Sequence, residues 1–135
     1  MLELNEFAKE IHDNAREHGW WEEERKFPEI VALCHSELSE ALEEYRAGRP
    51  LKWYDCHAPI DIGSVCGERD ECGKCCSKPC EYAEQKPEGM AVEMADCIIR
   101  ILEWCGKEEI DIEAILKEKH EYNKTRSYKH GGKKA

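Results

Sequence analysis

Between Gly48 and Gly89 the chain changes character. Four of its five prolines, five of its nine glycines and six of its nine cysteines fall in that stretch. Proline removes a helical donor and clashes with the preceding turn, and glycine loses too much backbone freedom in a helix, so no long helix runs through it. A helical fold must therefore be assembled from the two flanks, and both carry the pattern for it. Leu4, Phe7, Ala8, Ile11 and Ala15 recur at a helical period, which predicts a first helix over Leu4 to His18. Pro28 suits the first turn of a second helix running to about Arg46, with Gly48 behind it as a stop. A third is expected from about Gly89 to Cys105, stopped by Gly106. A fourth is expected to begin near Asp111, a candidate N-cap, and to fade towards Ser127. There is no convincing alternating strand pattern and no repeat at solenoid spacing. The expected architecture is all-α. It is a single domain over residues 1–135 with four helices, and residues 48–89 form an irregular cysteine-rich insertion between the second and third.

Two carboxylate pairs sit inside this helical pattern, Glu37-Leu38-Ser39-Glu40 and Glu93-Met94-Ala95-Asp96. Residues at i and i+3 share a helix face, so each pair can grip one ion. Two such pairs on facing helices make an oxygen-rich site for Mg²⁺, the outline of a metal-dependent phosphate enzyme. On a helical wheel Ile30, Cys34, Leu38, Ala41 and Tyr45 form the apolar arc of the second helix. Glu37 falls inside the apolar sector between Leu33 and Ile30, Glu40 and Glu44 border it, and Glu43 points away. A carboxylate aimed into a core is costly unless paired or bound to metal. The third helix is apolar around most of its circumference, through Val92, Met94, Ile98, Ile99, Ile101, Leu102 and Trp104, and is expected to be mostly buried. Its polar stripe is Glu93, Asp96, Arg100 and Glu103. Either that stripe faces the Glu37/Glu40 edge and four carboxylates converge, or it faces solvent with an internal Asp96–Arg100 pair.

The formal net charge of −10 argues against general nucleic-acid or anionic-membrane binding. From Lys117 onward there are seven Lys/Arg against two Glu, so the preceding residues carry −15. A basic tail on an acidic body suits a polyanionic small ligand held partly through metal, or else is a solvated terminus. No apolar run reaches the roughly 18 residues needed to span a membrane, and Met1 to Glu10 lacks the apolar stretch of a secretory signal, so a cytoplasmic protein is expected.

The run His35-Ser36-Glu37-Leu38-Ser39-Glu40-Ala41-Leu42-Glu43-Glu44-Tyr45-Arg46, followed by Glu93-Met94-Ala95-Asp96, resembles the MazG-like all-α nucleoside triphosphate pyrophosphohydrolases. Their signature is a Glu-x-x-Glu on one helix and a Glu-x-x-Asp on the next. His18-Gly19-Trp20-Trp21 upstream, and Lys119-His120-Glu121-Tyr122-Asn123-Lys124-Thr125-Arg126 with His130-Gly131-Gly132-Lys133 downstream, look like the same family. The resemblance implies a helical bundle assembling as a homodimer or dimer of dimers. It implies Mg²⁺-dependent cleavage between the α and β phosphates of a nucleoside triphosphate, giving a monophosphate and pyrophosphate. It would make Glu37, Glu40, Glu93 and Asp96 the catalytic Mg²⁺ ligands, and Lys119, Asn123 and Arg126 the residues that hold phosphate. A carboxylate not fully used by metal, such as Glu40, could act as the base. Trp20 and Trp21 are adjacent and point in different directions, so one is expected in a core or interface while the other can stack on a nucleobase.

In the resembled family a much shorter connection joins the acidic motifs. Here the connection carries Cys56, His57, Cys66, Cys72, Cys75, Cys76 and Cys80. In a reducing compartment such a set argues for metal or redox chemistry over disulfides. Cys72-Gly73-Lys74-Cys75 is a Cys-x-x-Cys knuckle whose glycine lets two thiolates reach one metal. A structural Zn²⁺ on Cys66, Cys72, Cys75 and Cys80 is the leading reading, with Cys56, His57 and Cys76 competing for the same role. An iron–sulfur cluster, a thiol redox switch and a loop of reduced thiols are the alternatives. Cys34, Cys97 and Cys105 lie within helical apolar patterns and are expected as small core residues. Function therefore divides between a pyrophosphohydrolase and a non-catalytic zinc-bearing module on the same scaffold. A nucleic-acid binder using the knuckle ranks last, because the insertion has six Lys/Arg against eight Asp/Glu.

Overall fold

The computed structural model describes residues 2–21, 25–56 and 85–126. They form α1 (Leu4–Glu17), α2 (Phe27–Arg46), β1 (Trp53–Cys56), β2 (Gln85–Glu88), α3 (Met90–Lys107) and α4 (Ile112–Thr125). The described chain is mostly helical, as the periodicity predicts. The two strands are a correction to the sequence reading. They pair antiparallel, with Trp53 opposite Glu88 and Cys56 opposite Gln85. The residues between them, including His57, Cys66, Cys72, Cys75, Cys76 and Cys80, lie outside the described residues. Among the described residues no helix is long and apolar enough to cross a membrane.

The chain divides into two compact units, Met1–Arg25 with Ile101–Ala135, and Lys26–Arg100. The long helix α3 supplies its second part to the first of these and its first part to the other. In the unit holding α1 and α4, the core is Ala8, Leu102 and Cys105, flanked by Leu4, Phe7, Ile11, Trp104, Ile110 and Ile112. Asn5 ties the starts of α1 and α4 together. Its amide donates to Asp111 Oδ1 at 2.8 Å and its backbone N–H donates to Glu113 Oε1 at 2.9 Å. Asp111 caps α4 as expected, accepting from the Ala114 N–H at 3.1 Å. These two bonds hold its carboxyl below the ordinary range.

Gly106 does not stop α3, contrary to the sequence expectation. It lies inside the helix, where a Cβ would overlap the Ala8 carbonyl oxygen of α1. Its job is close approach of two backbones. The helix instead ends at Lys107, and Glu109 just beyond it takes the left-handed conformation (φ 54°). The Ile110 N–H bonds Cys105 O at 2.9 Å and the Glu109 N–H bonds Gly106 O at 3.3 Å, the bond pair of a left-handed helix stop.

In the unit formed by Lys26–Arg100, Ile30, Ala41, Trp53 and Cys97 are buried together with two carboxylates, Glu37 and Glu93. Pro28 sits in the first turn of α2, and Gly48 follows its end. The inward face of α2 is rotated from the expected arc. Glu37 is inside, whereas Leu38 and Tyr45 are exposed. On α3, Met94, Ile98, Ile99 and Ile101 are likewise exposed, not buried as the wheel suggests.

Candidate metal centre

Helix α2 presents Glu37 one turn after Cys34, and α3 presents Glu93 and Asp96 from its first two turns. Carboxylate oxygens of Glu37, Glu93 and Asp96 all lie within 4.8 Å of one another. Glu37 and Glu93 are each 8% exposed, and Asp96 is half-buried. Glu40, exposed at the edge of the group, shares a hydrogen bond with Glu93. Three of the four expected carboxylates, Glu37, Glu93 and Asp96, converge, with Glu40 exposed beside them. Arg100 reaches across to α2, donating from its Nε and terminal nitrogen to Glu37 Oε1 at 3.3 and 3.2 Å.

The electrostatics show a set short of positive charge. Burial first, then the neighbouring Glu40, Asp96 and Glu37, push the Glu93 carboxyl up to about 8. Burial and Glu37 raise Asp96, opposed by Arg100 and Lys86. A carboxyl–carboxylate bond between Glu93 and Glu40 requires one of them to be protonated. Oxygens bound to one Mg²⁺ at about 2.1 Å stand about 3.0 Å apart when adjacent and about 4.2 Å when opposite, so the three carboxylates would have to draw closer to share one ion. An all-oxygen donor set with surplus negative charge fits a hard divalent cation and not a soft metal.

A second triad adjoins the first and shares Glu93. Oxygens of Glu44, Glu88 and Glu93 also approach within 4.8 Å. Here cations are present: Arg49 lies 3.7 Å from Glu44, and Lys86 lies 2.9 Å from Glu88. Glu44, Glu88, Glu93, Arg49 and Trp53 border a cavity of about 410 Å³. Sequence reasoning missed Glu88, Arg49 and Trp53. The available signal was Trp53-Tyr54, two strand-favouring residues at the edge of an otherwise helix-hostile stretch.

The remaining expected residues lie in the other unit. Trp21 is the inward tryptophan: its indole N–H donates to Glu103, which also bonds His12 Nδ1 at 3.0 Å, and Lys107 Nζ stands 4.6 Å from its ring centre. Trp20 is exposed, with the Arg25 guanidinium 4.7 Å above its ring. Lys119 and Asn123 are on the exposed surface of α4, Lys119 over the Tyr122 ring at 4.9 Å, and Arg126 follows the helix end. A larger cavity of about 550 Å³ opens between α1 and the end of α3, but none of the motif carboxylates lines it. Cys34 meets Cys97 across α2 and α3, and burial and that neighbour raise its thiol. Comparison of the chain with protein-family models, curated proteins and solved structures found no match.

Proposed function

We propose that the chain is a Mg²⁺-dependent nucleoside triphosphate pyrophosphohydrolase of the MazG-like type, releasing a (deoxy)nucleoside monophosphate and pyrophosphate. One observation carries the reading. The two acidic motifs, 56 positions apart from Glu37 to Glu93, come together as a buried carboxylate group within 4.8 Å. Bound there, Mg²⁺ supplies neutralisation of phosphate charge and an acidified water. The chain's own residues do the rest. Arg100 fixes the Glu37 carboxylate, Glu93 gives up its proton as positive charge enters, and Glu40 at the exposed edge accepts the proton of the attacking water. Lys119, Asn123 and Arg126 belong to the same reading as phosphate-holding groups, and exposed Trp20 as the residue that stacks on the base.

The helical bundle and its assembly as a homodimer or dimer of dimers complete the proposal. Exposed apolar residues at i, i+4 and i+7 on α2 (Leu38, Leu42, Tyr45) and on α3 (Met94, Ile98, Ile101) support an oligomer. The cysteine spacing supports a structural Zn²⁺ on Cys66, Cys72, Cys75 and Cys80, in a segment whose ends the β1–β2 pairing holds side by side. A cytoplasmic location suits both chemistries.

The test incubates the purified protein with Mg²⁺ and a panel of ribo- and deoxynucleoside triphosphates. Monophosphate plus pyrophosphate is the expected product pair. Glu40→Gln or Asp96→Asn should lower turnover by about 10² or more while the fold survives. Unchanged rates in both variants would overturn the reading. Stoichiometric zinc without hydrolysis of any nucleotide would instead favour the non-catalytic binding module.

A further inference from the structure

The cavity beside the carboxylates is lined by five of them, Glu40, Glu43, Glu44, Glu88 and Glu93, and, among the described residues, by one cationic side chain, Arg49. An anionic substrate cannot enter such a space unless positive charge meets it at more than one point. The acidic triad recruits that charge at one end. Arg49 supplies it at the other. Its position is set by the end of α2: the Arg49 N–H bonds back to Glu44 O at 3.4 Å, which turns the chain at Gly48 and lays the side chain over the cavity rim. The guanidinium stacks 4.6 Å above the Trp53 ring. A cation–π contact of this kind holds the guanidinium at the rim of the cavity.

The bond to Glu44 is loose. The Nε–Oε2 separation is 3.7 Å, well beyond the roughly 2.7–2.9 Å of a strong charge-assisted bond. An arginine placed over an aromatic ring and only weakly paired with a carboxylate is ready for a better anionic partner. A phosphate group, with its oxygens spaced for a two-pronged grip, is that partner. The cavity volume of about 410 Å³ lies in the range of small-molecule sites.

Resting on the pyrophosphohydrolase reading, we infer that Arg49 is a substrate-binding residue, gripping the polyphosphate of the nucleotide with Trp53 as its platform. Arg49 comes from the segment between α2 and β1, so the start of the insertion contributes directly to the site.

Two measurements on the full chain test this, one of them independent of turnover. Binding of pyrophosphate in the presence of Mg²⁺ is followed by titration calorimetry in the wild type, Arg49→Lys and Arg49→Met. Steady-state kinetics are then taken on whichever triphosphate the panel selects. Arg49→Met should weaken pyrophosphate binding and raise KM by about tenfold to a hundredfold, with kcat within about threefold. Arg49→Lys, a point charge without the fork, should recover part of the loss. A purely structural Arg49 would shift the melting temperature and leave pyrophosphate affinity and KM unchanged, and that result overturns the inference. If the wild type binds pyrophosphate through Arg49 but hydrolyses no triphosphate, the pyrophosphohydrolase reading fails and the binding role of Arg49 stands. If the wild type does not bind pyrophosphate at all, the inference about Arg49 falls, and the pyrophosphohydrolase reading still stands or falls with the nucleotide panel.

Discussion

Glu93 sets the charge state of the whole acidic group. Its carboxyl is pushed from an ordinary 4.5 to about 8 by burial and by three neighbouring carboxyls. The sign of the consequence follows from linkage. A carboxyl whose folded pKa is raised favours the fold while it is protonated in both states, and that contribution is lost as pH rises through the folded value. Without divalent ions the melting temperature should therefore fall between about pH 5 and pH 8. Mg²⁺ should restore it most strongly above pH 8, because ion and proton compete for the same oxygens. Glu93→Gln keeps the neutral form at every pH. It should raise stability at pH 8.5 in chelator and lose the stabilisation by Mg²⁺. Melting curves at pH 6, 7 and 8.5, with and without Mg²⁺, check all three statements. A wild-type curve insensitive to Mg²⁺ at pH 8.5 would count against a cation site there. The candidate site was legible in the sequence at Glu37, because a carboxylate on an apolar face needs a partner. The sequence wheel could not show that the partner would be Arg100, since a wheel orders one helix and is silent about the helix it faces.

At the scale of elements, helix ends were legible within a few residues wherever the local chain decides them. Asp111 caps α4 through its own side chain, and Pro28 opens α2 because it needs no donor there. Gly106 shows where local reading fails. A glycine near the end of a helical pattern reads as a stop, yet this one is in the helix to let α1 approach. Gly106→Ala would normally favour a helix, by about 1 kcal/mol. Here the added methyl meets the Ala8 backbone carbonyl, which cannot rotate aside as a side chain would, and overpacking of that kind costs roughly 1–3 kcal/mol. The clash should win, so Gly106→Ala is expected to lower the urea midpoint with little change in slope. A stabilised variant would mean that the two helices separate easily. The strands β1 and β2 were not legible for a different reason. Each is four residues long, too short for alternation to register, and their pairing spans the residues between Cys56 and Gln85, which no local window connects.

At the scale of the whole molecule, the apolar residues that the sequence pattern assigns to the interior exceed those a single chain buries. Leu38, Leu42 and Tyr45 recur at i, i+4 and i+7 along α2, and Met94, Ile98 and Ile101 do so along α3, all of them exposed. Scattered exposed leucines need no explanation, but two ordered stripes at helical spacing do. The wheel places most of these positions on faces to be buried, and in the single chain they are exposed. Periodicity reports that a face is to be buried, not which chain buries it. The net charge of −10 opposes self-association, so covering the stripes must outweigh a repulsion that salt screens. Sedimentation at micromolar concentration should accordingly give a dimer or tetramer, strengthened by added salt. Ile98→Glu, at the middle of the α3 stripe, should shift it towards the mass of one chain, and Leu42→Glu on α2 should act in the same direction. Each places an unpaired carboxylate where an apolar contact is needed. Because both side chains are exposed in the single chain, neither change should unfold the monomer, and circular dichroism separates dissociation from unfolding. A wild type that sediments as one chain across this range would leave both stripes facing water and would remove the support they lend to an assembled enzyme.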